Sequence, residues 1–180
     1  MKKTITTIFF SLILTAAVMG QTKEANAADV ATLDGIVRAV YDVISGDAGQ
    51  KRDWDRFRTL FHPQARMIPT GKNPQTNLFG ATELTPEDYV KRAGDYLEKE
   101  GFHEQEIGRK TEIYGNIAHV FSAYEGRNKL SDKKPFLRGI NSFQLLNDGK
   151  RWWVVTIFWQ QETPDNLIPR EYLKTDKGKK

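Results

Sequence analysis

Histidine and cysteine, the side chains that most readily move protons or ligate metals near neutral pH, are scarce in this sequence, and their spacing is informative. There are three histidines, His62, His103 and His119, and no cysteine. Thiol catalysis and thiolate metal sites are therefore excluded. A zinc site would need carboxylates to complete it, and no His-Glu-x-x-His or related spacing is present, so neither metal nor cofactor is expected. His62 stands at the end of a predicted helix, just before Pro63. There it either balances the negative end of the helix dipole or serves as a general base or acid, a task suited to imidazole near neutral pH. Arg138, Asn141, Trp153 and Trp159 fall on one predicted hairpin, where a buried arginine or asparagine must find a partner. If Asn147 pairs with Lys150 there, Asn141 lies opposite Thr156 and Arg138 neighbours Trp159, and both polar groups are satisfied without a substrate. In the preceding hairpin, pairing Tyr114 with Ile117 sets Glu106 opposite Glu125 and Glu104 opposite Arg127. Facing carboxylates need a cation, a shared proton or solvent. The other face of that hairpin mixes Ile107, Ile113, Val120 and Tyr124 with Arg109, Thr111 and Ser122, a composition shared by ligand pockets and dimer surfaces.

A sheet behind a helical front must position these groups. From Arg138 to Glu162, β-branched and aromatic residues run outward on both sides of Asp148-Gly149, a pair suited to a two-residue turn. Phe143 then faces Val154, while Trp153, Val155, Ile157 and Trp159 share the opposite surface. Neither surface is simply polar, which predicts a twisted sheet covered by helices on one side and engaged by a cavity or partner on the other. Leu33, Ile36, Val37, Val40, Tyr41 and Ile44 form one stripe of a helix ending near Gly46. A second, short helix has Asp53 as its cap and Trp54, Phe57, Leu60 and Phe61 on one face, and His62-Pro63 stops it. Ala65 to Ile68 reads as a short strand, and Thr70 to Gly80 as a loop placed to act as a lid. Thr85-Pro86-Glu87-Asp88 starts a third helix, which Gly101 closes. Three helices followed by four long strands predict an α+β fold with an antiparallel sheet.

The first 27 residues combine Lys2-Lys3, an apolar run from Ile5 to Met19, and Ala25-Asn26-Ala27. This is the pattern of a cleavable secretory signal, predicting a mature chain that starts at Ala28 in the periplasm or outside the cell, with no membrane span once the signal is removed. Of the formal charge of +4, the leader's three lysines and one glutamate account for +2, leaving +2 for the mature chain. That is no electrostatic footprint for nucleic acid. The mature part fits one domain over residues 28–165, followed by a lysine-bearing, solvated tail over 166–180.

Two segments carry a family resemblance: Trp54-Asp-Arg-Phe-Arg-Thr-Leu-Phe-His-Pro-Gln-Ala-Arg66, a short helix running into a strand, and Leu146-Asn-Asp-Gly-Lys-Arg-Trp-Trp-Val154, a last hairpin entering a tryptophan-rich strand. With the element order they resemble the nuclear transport factor 2-like fold, across nearly all of Val30 to Glu162. The resemblance implies a cone in which helices and a strongly curved sheet enclose one apolar pocket, often in a homodimer packed through the sheet. In such a cone Tyr41, Trp54, Phe57, Tyr124 and Trp159 should converge, with Arg66, His62 and Asn141 as the polar groups. This favours a small ligand with an apolar body and one polar handle. Ketosteroid isomerases resembling this fold use a tyrosine and a neutral acid as donors and a second acid as base. Tyr41 is the candidate donor, although it lies in the apolar stripe, and clear carboxylates on the inner strands are missing. Three functions follow as expectations: an exported small-molecule-binding domain; a SnoaL-like isomerase, cyclase or dehydratase with His62 as base; or a non-catalytic dimeric interaction module.

Overall fold

The computed structural model describes residues 24–174. Of the predicted signal over residues 1–27, residues 1–23 lie outside the described residues, and at its cleavage site Asn26 caps a short helix that begins at Ala27. Among the described residues there are four α-helices: α1 (Ala27–Val30), α2 (Leu33–Ile44), α3 (Trp54–Leu60) and α4 (Pro86–Glu100). Six strands follow the order β1 (Phe61–Lys72), β2 (Phe79–Ala81), β3 (His103–Tyr114), β4 (Ile117–Arg127), β5 (Leu137–Asn147) and β6 (Trp152–Gln161). The last three helices are the three expected ones. Each starts where its cap dictates: Thr32 Oγ accepts from the Gly35 N–H, Asp53 from Arg56, and Thr85 and Asp88 form a reciprocal capping box behind Pro86. Helix α2 buries eight of its twelve residues and is the main cover of the sheet. Each large apolar side chain so buried contributes about 1.5–3 kcal/mol.

The sheet order is β2-β1-β6-β5-β4-β3. The fold is α+β with a curved sheet, as expected, but the sheet is not purely antiparallel: β1 runs parallel to β6. Nor is β1 short. It spans twelve residues, and Thr70 and Gly71 pair with β2 instead of opening a lid. The turn between them closes because Asn73 Oδ1 accepts from the Gln75 and Thr76 N–H groups.

Two β-bulges overturn the simple registers. In β3, Tyr114 pairs with Ile117 as predicted, but Ile107 is left unpaired, so Glu106 lies opposite Tyr124 and Glu104 opposite Gly126. The expected Glu106–Glu125 and Glu104–Arg127 oppositions do not form. Glu125 lies opposite Gln105 and is held by Gln105 and Arg127. In β6 the extra residue is Val155. The turn before it is also longer than two residues: Asn147 pairs with Trp152, and Asp148 Oδ1 accepts from the Lys150 and Arg151 N–H groups. Asn141 therefore lies opposite Trp159, not Thr156, while Arg138 lies opposite Glu125 and forms an ion pair with Glu162 at 3.0 Å, away from any stack on Trp159. An unpaired residue in a strand swaps the faces of everything beyond it. This is why Ile157 and Trp159 join Val154 on the helix-covered face, and why neither surface of the hairpin reads as polar in the sequence.

Residues 166–174 do not leave the domain as a free tail. They cross the outer face of the sheet, where Ile168 is buried, the Tyr172 ring packs on Phe121 at 5.1 Å, and the Arg109 N–H donates to the Lys174 carbonyl at 3.3 Å. Gly108 makes this crossing possible, since a Cβ there would meet the Tyr172 carbonyl oxygen. The lysines beyond Lys174 lie outside the described residues.

Candidate functional site

Between α2, α4 and the concave side of the sheet lies a cavity of about 180 Å³. Its walls are mostly apolar, including Val40, Ile44, Met67, Phe102, Leu137 and Ile157. The polar groups are Glu104 from β3, Tyr124 from β4, Asn141 from β5, Gln161 from β6 and Tyr89 from α4, with Trp159 beside them. The strand pairings make these two rows. Glu106, Tyr124, Gly139 and Gln161 are successive partners across four strands, as are Arg109, Ser122, Asn141 and Trp159. Glu104 reaches the cavity because of the β3 bulge. A second, more polar cavity of about 430 Å³, lined by Ser45, His103, Gln105 and Arg127 among others, shares Glu104 with the first.

Asn141 Nδ2 donates to Glu104 Oε1 at 3.2 Å and to Tyr41 Oη at 3.1 Å. No partner to Glu104 Oε2 exists among the described residues, and no buried side-chain polar atom among them lacks one, so Oε2 is open to the cavities its residue lines. Glu104 retains accessible surface for that reason, yet its carboxyl is enclosed by protein. Burial pushes it up to about 7, against a smaller downward pull from the Asn141 N–H. Tyr89 and Tyr124 are both raised well above the ordinary tyrosine range, first by burial and then by the charge of Glu104. They remain O–H groups at any physiological pH. The site thus offers a carboxylic acid near its midpoint at neutral pH and two phenol donors, and among the described residues no Lys, Arg or His lines the apolar cavity. Such a constellation can hydrogen-bond an acceptor oxygen and exchange a proton with the molecule that carries it.

Of the residues expected to converge, Tyr124, Asn141 and Trp159 line the cavity. Tyr41 lies behind it, with its hydroxyl 2.7 Å from Ser122 Oγ. Phe57 is fully buried core, stacked on Tyr89 at 5.7 Å. Trp54 packs edge-on against Phe57, and its Nε1 donates to Glu98. Arg66 Nη1 donates to the Gln64 and Ala65 carbonyls, and the residue is exposed. His62 packs edge-on against Trp153, its Nδ1 accepting from the Gln64 N–H at 3.3 Å. Neither Arg66 nor His62 is among the cavity residues. The residues missed from sequence are Glu104, Tyr89 and Gln161. A signal for Glu104 did exist: a glycine inside a strand pattern, here Gly108, marks a bulge.

No family model matches the chain, and no curated protein matches it. Its likeness to solved structures is in the fold. A nuclear transport factor 2-like protein of unknown function from Silicibacter pomeroyi DSS-3 superposes with a TM-score of 0.51 at 13% identity, over 73% of this chain and 94% of that one. A protein of unknown function with a cystatin-like fold from Nostoc punctiforme PCC 73102 gives 0.56 at 10% identity, over 78% and 96%. A protein from Kribbella flavida gives 0.52 at 11% identity, over 74% and 92%. The chain has the nuclear transport factor 2-like fold.

Proposed function

We propose that this protein is an exported domain whose cavity binds one small, uncharged, mostly apolar molecule through an acceptor oxygen, and that Glu104 exchanges a proton with that molecule. The observation that carries this reading is a single carboxyl set into an apolar cavity, one oxygen held by Asn141 and the other open. An engineered cavity of about 150 Å³ takes up benzene, so this one has room for roughly one ring and a substituent. With no cation lining the cavity, an anionic ligand would add a second negative charge beside Glu104, which disfavours it. In the enzyme reading, an isomerase, cyclase or dehydratase, the acid-base role belongs to Glu104 rather than His62, which packs against Trp153. Export follows from the leader in the sequence. A homodimer through the sheet remains part of the proposal, supported by the exposed Phe158 on the outer face, although residues 166–174 already cover some of that face.

Thermal unfolding of the mature protein against uncharged single-ring ketones, enones and lactones, each beside its carboxylate analogue, tests the reading. Binding to the folded state alone stabilises it, by about 2.7 kcal/mol at a hundredfold excess over Kd. The neutral compounds should raise the melting temperature and the carboxylates should not. Indifference to every neutral compound, or a preference for the carboxylates, would refute the proposal.

A further inference from the structure

A chain of hydrogen bonds runs from the cavity to the exposed carboxylate of Asp34 at the protein surface. Arg109, 7% exposed, donates from Nε and Nη2 to Glu106 Oε2 at 2.9 and 2.6 Å, and from Nη1 to the exposed Asp34 at 2.8 Å. Ser122 Oγ, fully buried, donates to Glu106 Oε1. Tyr41 Oη lies 2.7 Å from Ser122 Oγ and 3.1 Å from Asn141 Nδ2, and that same nitrogen lies 3.2 Å from Glu104 Oε1. Neither Glu106 nor Arg109 lines the cavity.

The proton positions along this chain are forced from one end. Glu106, bonded twice by one guanidinium, is a carboxylate and only accepts. Ser122 has one hydroxyl hydrogen, and it goes to Glu106. The short Tyr41–Ser122 contact can then be bonding only if Tyr41 donates. Tyr41 keeps its proton for this, since burial, and next the charge of Glu104, raise it well above the ordinary range. With that hydrogen committed, the Tyr41 oxygen facing Asn141 can only accept, so the amide must present its NH₂ there. The same NH₂ meets Glu104 Oε1. A flipped amide would set its oxygen against two acceptors.

We propose that Glu106 and Arg109 are positioning residues: their ion pair fixes the direction of every hydrogen bond through Ser122, Tyr41 and Asn141, so that Glu104 accepts at Oε1 and carries its acid proton on Oε2, the oxygen open to the cavities. This rests on the proton-exchange reading of Glu104. It explains why Tyr41 is no donor to a ligand, since its hydrogen is spent on Ser122. The ionisable groups around Glu104 are Tyr41 from α2, Tyr89 from α4 and Tyr124 from β4, with Glu106 and Arg109 further along β3, and, around the second cavity that Glu104 also lines, Asp42 from α2, His103 from β3, Arg127 from β4 and Asp132.

Glu106→Gln tests the direction. A glutamine NH₂ donates to Ser122, which turns the serine and tyrosine hydroxyls around and flips Asn141, placing an amide oxygen against Glu104 Oε1. The carboxylate form is then disfavoured, and the Glu104 midpoint should rise by at least one unit, a tenfold weaker acid. Mere loss of the Glu106 charge predicts the opposite sign, because removing a nearby negative charge lowers a carboxyl midpoint. The readout is the ¹³C carboxyl shift of Glu104 in labelled protein, assigned by its disappearance in Glu104→Gln. Ser122→Ala, which frees the Tyr41 hydrogen to turn towards Asn141, is the second variant and should shift the midpoint the same way. A rise in either folded variant supports the inference. An unchanged or lowered midpoint in both overturns it, even if their melting temperatures fall. A wild-type midpoint at 4.5 instead of about 7 would refute the proton-exchange reading itself, a separate outcome.

Discussion

Replacing Glu104 by glutamine should make the protein more stable at alkaline pH and leave it almost unchanged at acid pH. The ordinary glutamate value is 4.5 and that of Glu104 is raised to about 7 by burial. Below 4.5 the folded and unfolded chains both hold this proton. Between 4.5 and 7 only the folded chain does, so stability declines as pH rises through the window and levels off above it. At 1.36 kcal/mol per unit, this group alone lowers stability by about 3 kcal/mol between pH 4.5 and 8. Glutamine has nearly the same shape, can still accept from Asn141, and never ionises. Urea denaturation of both proteins at half-unit steps from pH 4.5 to 8.5 measures the effect. The two free-energy curves should meet near pH 4.5 and separate to about 3 kcal/mol at pH 8, with the variant higher. Every other titratable group is common to both proteins and cancels in the difference. Asp148, held down to about 2 by the Trp153 Nε1–H first and then by backbone N–H groups, costs stability only at lower pH, when it takes up its proton. Parallel curves would refute the reasoning, because they would mean that the Glu104 carboxyl is as well solvated in the folded protein as in the unfolded chain.

Phe57→Ala should cost about 3–5 kcal/mol in chemical denaturation, because the ring is closed in by Tyr89, Phe61 and Trp54; a loss below about 1 kcal/mol would place it at a void instead. Arg52→Ala should be about as costly, at roughly 3–5 kcal/mol, since it strips donors from the Ile44, Gly46 and Leu97 carbonyls at 2.9, 2.7 and 2.8 Å. Gly139→Ala should abolish ligand-induced stabilisation while the chain still folds or should prevent folding outright, because its Cβ would meet Tyr124 Oη at 2.6 Å; wild-type binding in that variant would contradict the placement of Tyr124. N-terminal sequencing of exported protein should begin at Ala28, and an intact Met1 would contradict the signal reading.

The fold was legible because its signals are local. Caps at Asp53 and Thr85, the apolar stripe of α2 and the turn between Tyr114 and Ile117 each specify a boundary without reference to the rest of the chain. The site was less legible because it depends on register. One unpaired residue at Ile107 brings Glu104 and Glu106 to the inner face, and one at Val155 does the same for Ile157 and Trp159. Alternation counted from the turns therefore puts these carboxylates on the wrong side. The first bulge had a marker in Gly108. The second, within Trp152-Trp153-Val154-Val155, had none. Tyr41 was legible as buried but not as a relay, since its partners Ser122 and Asn141 are 81 and 100 residues away in sequence.

The central claim, that Glu104 meets a neutral ligand as a protonated acid, is tested most directly by the pH dependence of affinity. For the best-bound uncharged ketone, Kd measured by calorimetry from pH 5.5 to 8.5 should be flat below about 7 and weaken towards tenfold per unit above it. In Glu104→Gln the same profile should be level throughout. A level profile in the wild-type protein, or a slope that survives in the variant, would contradict the account.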